Sequence, residues 1–235
     1  MGTSITFHGG VHEIGGNKFL LEDGDTRAFL DFGMQMGKAN QYYAEYMQPR
    51  DLNGMGDLIE FGLLPPLRGL YRQDYTRHSG YGDERERTSF DGVLLTHAHL
   101  DHAAYVHYLR PDIPIYCTEA TKLVLQAIED TGGDQEYITY KEKFKLYRNR
   151  SDELSRANSP DHREEIPRQI NLIKNKKEFT LGSLGVEPLE VDHSIPGVSG
   201  FIVHTSRGAL GYTADIRFHG RRRKDSEVHR EMLGV

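Results

Sequence analysis

The stretch "LLTHAHLDHAAYVHYL", residues 94–109, constrains the fold more than any other part of the chain. It sets His97, His99, Asp101 and His102 within six positions, directly behind an apolar run. Packing alone gives no reason to cluster three imidazoles and a carboxylate. On an extended segment His97 and His99 point to the same side, because side chains alternate with period two. Asp101 and His102 follow where the chain turns into a helix, so two pairs of donors can face two adjacent points in space. Imidazole and carboxylate are donor types that suit zinc, and catalytic zinc sites keep a position open for water. The run leading into the motif, "FDGVLLT", is short and continuously apolar, as expected of a strand buried on both faces.

The remaining segments fit a sheet covered by helices. Residues 4–33 predict three strands, "SITFHGG", "NKFLLED" and "RAFLDFG", with a Gly-rich turn between the first two. Residues 34–88 lack a clear period and are expected to be an insertion of loops and short helices. A helix is expected to start near Asp101 and carry Ala103, Val106 and Leu109. "IPIYCT" is the next strand, and "TEATKLVLQAIEDTGG" a helix with Thr118 as N-cap and Gly132 as stop. A second insertion covers about 134–177. Its charge-dense part, from 141, reads as a solvated helical excursion, with Ser159 as cap and Pro160 at the first helical position. A substrate-contacting insertion is the alternative. "GVEPLEVDHS", "SGFIVHT" and "GALGYTAD" are the last three strands. Short apolar strands alternating with helices indicate α/β packing, in one domain spanning residues 1–235.

Two more donors are expected from strand ends. His193 stands where an apolar strand gives way to a Pro/Gly turn in "EVDHSIPG", and Asp215 ends a strand in "LGYTADIR". Asp31 closes its strand in the same way. It is assigned with Asp101 to catalysis, as a carboxylate that fixes a ligand histidine's tautomer. Arg217, Arg221 and Arg222, with Arg223 and Lys224 behind them, follow Asp215 closely. Arginine suits phosphate oxygens through bidentate pairing; a solvated surface run is the alternative. Ser194, beside a donor, is either a phosphate contact or a turn residue. Gly9, Gly10, Gly15 and Gly16 flank His12 and Glu13, which makes a tight turn or a loop whose backbone approaches substrate. His8, His78, His107, His162 and His204 are expected to be structural.

Composition narrows the function classes. A net charge of −6 argues against coating nucleic acid through overall charge and leaves a local basic groove open. The single cysteine, Cys117, excludes an intramolecular disulfide and a thiolate zinc cage, and at a strand end it is expected to be buried and inert. No secretory pattern opens the sequence, and no window reaches the ~18–20 apolar residues of a membrane span. A protein of a reducing compartment, cytoplasmic and without a membrane partner, is the expectation.

"THAHLDH", with an upstream Asp and downstream strand-end His and Asp, resembles the metallo-β-lactamase superfamily. With "GGVHEIGGN", "VDHSIPG" and "TADIRFHG" it resembles the β-CASP branch, which includes ribonuclease J and the mRNA 3′-end cleavage nucleases. The resemblance implies an αββα four-layer sandwich holding one or two metals at the sheet edges. His97, His99 and His193 would hold one zinc, and Asp101, His102 and a bridging Asp215 the other; manganese or magnesium are the alternative ions. A pair about 3.5–4 Å apart activates a water and clamps both oxygens of an in-line displacement, with Asp101 orienting the attack. The implied substrate is a phosphodiester, RNA or another single-stranded nucleic acid. Small-molecule ester, thioester and lactone hydrolases share the HxHxDH core, and a non-catalytic RNA-binding fragment or partner subunit is a third possibility. In β-CASP nucleases the chain after the strand-end Asp enters a second domain, then returns with another ligand histidine and the last strands. Here twenty residues follow Asp215, and neither His219 nor His229 stands where that ligand belongs. The expectation is therefore a sandwich lacking its C-terminal strands and the β-CASP domain. An open sheet edge would remain, and activity would be weak or absent unless a homologous chain or the missing domain completes the site.

Overall fold

Period-two alternation sorts the early strands' side chains onto two faces, and the computed structural model has a layer of packing on each. It describes residues 2–43, 47–50, 53–76, 81, 88–132, 135–141, 146–152, 154–156 and 165–220. Strands β1 (Thr3–Phe7), β2 (Phe19–Asp23) and β3 (Thr26–Leu30) come first, then helices α1 (Met36–Tyr42), α2 (Gly56–Glu60) and α3 (Gln73–Thr76). Next are β4 (Gly92–Leu94), α4 (Leu100–Ala103), a 3-10 turn (Ala104–Tyr108), β5 (Ile115–Cys117) and α5 (Glu119–Asp130). Strands β6 (Thr139–Lys141), β7 (Leu146–Arg148), β8 (Leu154–Arg156), β9 (Glu165–Pro167) and β10 (Ile170–Leu172) follow. The last four are β11 (Phe179–Leu181), β12 (Leu184–Glu190), β13 (Ser199–Thr205) and β14 (Gly208–Tyr212).

The first sheet has the order β1-β2-β3-β4-β5-β10, antiparallel through β3 and parallel from β3 onward. The second, β11-β12-β13-β14, is antiparallel throughout. Phe29, Val93 and Leu95 point into a core shared with the helices, including Leu58 of α2 and Leu125 of α5. Their neighbours Ala28, Leu30 and Leu94 point the other way, against Leu184, Val186, Phe201 and Val203 of the second sheet. Each such buried Leu, Val or Phe contributes about 1.5–3 kcal/mol relative to exposure, so a one-residue register slip would exchange the two cores. Among the described residues the outer face of the second sheet carries no helix, so they supply three layers of the expected αββα sandwich.

Two expectations need correction. The helix expected to carry Ala103, Val106 and Leu109 ends at Ala103, gives way to the 3-10 turn, and leaves Leu109 extended. Its carbonyls are taken from outside: Asp101 O accepts from the Gly16 and Asn17 amides, and His102 O from Phe32 N. Tyr105 N in turn donates to Phe32 O at 3.0 Å, not to Asp101 four residues back. The charge-dense excursion is also not helical where it is described. It forms the ribbon β7-β8, the ribbon β6-β9, and β10, which extends the first sheet. Two buried arginines hold it down. Arg168 donates to Leu109 O and His107 O at 2.8 and 2.7 Å, while Arg72, paired with Asp74 at 2.8 Å, donates to Lys141 O at 3.0 Å. Ser159 and Pro160 lie outside the described residues.

Helix α5 starts as expected. Thr118 Oγ1 accepts from Thr121 N, and both threonine hydroxyls donate to Gly197 O at 2.7 and 3.0 Å. That ties the helix start to the loop after His193. Cys117 is buried, and burial pushes its thiol up to about 12.

Candidate metal centre

Parallel strands β3 and β4 end at one edge of the first sheet, and β12 and β14 end at the same edge of the second. The residues just beyond these ends are Asp31, His97, His193 and Asp215. Two donor groups result. In the first, His97 Nε2 lies 2.9 Å from His99 Nδ1, His193 Nε2 lies 3.2 Å from the same atom, and Asp215 Oδ2 lies 3.4 Å from His193 Nε2. In the second, His102 Nε2 lies 3.4 Å from Asp215 Oδ1 and 3.7 Å from Asp101 Oδ2. Within each group the donor atoms lie within 4.8 Å of one another. Asp215 belongs to both and turns one oxygen toward each.

Asp31 organises the site from behind. His102 Nδ1 lies 2.7 Å from its Oδ2, which leaves His102 Nε2 facing the donors. Thr96 donates to the same carboxylate through N and Oγ1, at 2.7 and 2.9 Å, and its Oγ1 is 2.9 Å from His97 Nδ1. One carboxylate therefore orients a histidine of each group, directly or through Thr96. Tyr212 of β14 adds a hydroxyl donor to Asp31 Oδ2 at 2.7 Å, spanning the two sheets. Asn17 sets its amide nitrogen 3.1 Å from His102 Nε2.

The Gly-rich loop serves this architecture. Gly16 and Asn17 donate to Asp101 O, and a Cβ at Gly15, whose φ is 76°, would fall 2.4 Å from Asp101 Cβ. At Gly33 a Cβ would come within 1.7 Å of Asp101 O, so only glycine fits there. Glu13 accepts from Gly10 N and Gln35 Nε2, and buried Lys18 donates to the Gly16 and Gly33 carbonyls. The loop's backbone thus approaches the donor-bearing turn.

Electrostatics separate the groups. Burial, reinforced by the neighbouring imidazoles, pulls His97 down to about 2, so its ring is neutral with a lone pair to offer. Burial also lowers His193. At His102 burial opposes charge, but Asp31 and Asp215 outweigh it and raise the ring to about 10. The hydrogen bond from His102, against a burial penalty, holds Asp215 down at about 2.

The donors fit a divalent cation. Three imidazole nitrogens converge within 3.2 Å steps, and a neutral imidazole has one proton for its two nitrogens. With His97 neutral and its Nδ1 engaged by Thr96, its Nε2 faces His99 as a lone pair if Nδ1 carries the proton. Imidazole and carboxylate donors gathered at this spacing suit a divalent cation.

Of the other expected site residues, Ser194 is exposed and its Oγ lies 3.4 Å from His193 Nε2. Arg217 is engaged locally, donating to Asp192 Oδ1 and His193 O, both at 3.0 Å. These contacts anchor the His193 turn. Ser194, Arg217 and His219 line an open cleft of about 720 Å³ beside the first group. Arg221, Arg222, Arg223, Lys224 and His229 lie outside the described residues, as do His78 and His162. Asn17, Thr96 and Tyr212 were not anticipated. Thr96 had a signal, a hydroxyl next to the first donor, whereas Tyr212 depends on contact between sheets and had none.

Comparison with known proteins places the chain. It is 21% identical to ribonuclease J of Helicobacter pylori over 91% of its own length and 23% of that protein's. Against ribonuclease J of Pyrococcus abyssi it is 24% identical, covering 89% of itself and 37% of the relative. The chain thus spans less than two fifths of these curated relatives. A crystal structure of a protein of unknown function from Enterococcus faecalis matches 98% of the chain and 47% of its own, at TM-score 0.71 and 27% identity. Residues 63–230 match the beta-lactamase superfamily domain, and the chain belongs to that superfamily.

Proposed function

We propose that this chain is the metal-holding part of a zinc-dependent phosphodiester hydrolase acting on RNA, similar to ribonuclease J. The carrying observation is Asp215, with one carboxylate oxygen toward each donor group. The superfamily's fold implies a divalent metal, and the donor types favour zinc. His97, His99, His193 and Asp215 would hold one ion, and Asp101, His102 and Asp215 a second. When bound, the ions lower the pKa of a water and polarise a phosphoryl oxygen. Asp101 orients the attacking water from the rim of the second group. Asp31 holds His102 and, through Thr96, His97 in the tautomers that leave Nε2 free. Ser194, Arg217, Arg221 and Arg222 are assigned to the phosphate backbone of the substrate. The ribonuclease J relatives support the choice of RNA. The single buried cysteine fits a reducing, cytoplasmic setting for a chain read as one domain. A β-CASP domain or a homologous chain is the expected partner that covers the site.

The test is metal per chain by elemental analysis on gel-filtered protein, followed by cleavage of single-stranded RNA by the zinc-loaded protein. About two zincs, lost in part by His97→Ala, with RNA products, support the proposal. Cleavage of a generic thioester or lactone, with RNA untouched, would overturn the substrate. A folded protein that takes up no metal would overturn the catalytic reading.

A further inference from the structure

The three lysines Lys174, Lys176 and Lys177 stand at the same sheet edge as the donor groups. Strand β10 runs parallel to β5, which runs parallel to β4, so the ends of all three share one edge. His97 follows the end of β4, Thr118 that of β5, and Lys174 that of β10. Hydrogen bonds fix the placement. Ile173 N donates to Cys117 O, Lys176 N to Pro188 O at 2.8 Å, and Glu190 N to Asn175 Oδ1 at 3.0 Å. The lysine turn is thus held against the end of β12, three residues before His193. Lys176 sits at φ 56°, a left-handed conformation that closes the turn.

All three side chains are exposed, and among the described residues none forms an ion pair. Three other lysines are committed: Lys18 is buried on carbonyls, Lys38 donates to Gly62 O, and Lys141 pairs with Glu165. Segment 174–178 carries three lysines and one glutamate, Glu178, in a chain of net charge −6. Unpaired cations gathered at the active edge of an acidic protein suit a polyanion. From the β4 end to the β10 end is two strand spacings, about 10 Å. That separation is too long for the scissile phosphate and suits phosphates a few nucleotides away.

We infer that Lys174, Lys176 and Lys177 form a contact lane for the backbone of single-stranded RNA, leading across the β5 end to the donor groups. The inference rests on the proposed RNA substrate. It adds a site-distal contact that no metal donor supplies.

The experiment is fluorescence anisotropy on the full chain with a 12-nucleotide single-stranded oligo-U and with a dinucleotide, each across a salt series. The variants are the triple change Lys174→Gln, Lys176→Gln, Lys177→Gln and a control, Arg207→Gln, in the turn at the opposite edge. The triple variant should bind the 12-mer on the order of tenfold or more weakly at low salt, and its log–log salt slope should shallow by about two. Dinucleotide binding and metal content should not change, and Arg207→Gln should behave as wild type. An unchanged slope in the triple variant, with wild type binding the 12-mer, overturns the lane and leaves the RNA proposal standing. An equal loss in Arg207→Gln also overturns it, because the effect is then general charge. If wild type neither binds nor cleaves RNA, the substrate reading itself falls, and the lane with it.

Discussion

The two donor groups share Asp215 but are built on opposite principles. The first is rich in imidazole, and burial holds His97 near 2, so its nitrogen is available at any ordinary pH. The second is rich in carboxylate, and Asp31 and Asp215 hold a proton on His102 up to about 10. A cation entering the first group meets a lone pair; one entering the second must displace a proton. Adjacency therefore does not make the two groups equal. The same Asp31 that orients His102 for ligation also makes its proton harder to remove.

The largest effect should come from breaking what the groups share. Asp215→Ala removes an oxygen from each, so metal should fall from about two per chain to below about one by elemental analysis. His97→Ala should spare the second group. If Asp215→Ala loses only what His97→Ala loses, Asp215 does not bridge. Next is pH. His102 has its folded value at about 10, above the ordinary 6.5, so in the metal-free protein its pairing stabilises the fold fully below about 6.5 and fades as pH rises through about 10. Metal affinity of the second group should therefore climb on the order of tenfold per unit from about pH 7 to about 9. The first group, with His97 already neutral, should climb far less, and titration calorimetry in two buffers should count the released proton. Equal slopes in both groups would erase the contrast.

A smaller effect is expected from Asp31→Asn, which keeps the shape and removes the charge. Metal affinity should drop about 10–100-fold at the second group, where contact with His102 is direct and lost positioning outweighs the easier loss of the ring's proton. The drop should be less at the first, which Asp31 reaches through Thr96. A competition titration with a chromophoric chelator reads both constants. Equal losses would mean that Thr96 transmits orientation as well as direct contact does.

How much of this was legible beforehand follows from the range of the interactions. The candidate donors that the fold brings together could be read because metal chemistry dictates residue type, and "THAHLDH" concentrates four of them locally. Strands β1 to β5 and helix α5 were legible through apolar runs, turn glycines and the Thr118 cap. The charged excursion misled because its order comes from partners distant in sequence. Arg168 is held by carbonyls 59 and 61 residues earlier, and charge density alone looks like a solvated helix. Helix α4 misled for the same reason, since Gly16, Asn17 and Phe32 take its carbonyls. Tyr212 reaches Asp31 across 181 residues, and no local pattern could reveal it.

The smallest expected effect concerns the residue that aims the shared ligand. Ala214 sits at φ 56°, a left-handed conformation with no glycine to ease it, immediately before Asp215. Such a conformation costs roughly 1–3 kcal/mol in a non-glycine residue, while glycine costs roughly 0.5–1 kcal/mol through the unfolded chain. Ala214→Gly should therefore raise the stability of the metal-free protein by about 1 kcal/mol, visible as a higher denaturant midpoint. It should also loosen the aim of Asp215. Since one oxygen faces each group, the loss of metal affinity should appear in both, by less than in Asp31→Asn at the second. A gain in stability with no loss at either group would mean that the turn is held by Tyr212 on one side and Arg217 on the other, and that the strain does no aiming. A loss at one group alone would show which of the two oxygens Ala214 keeps in place.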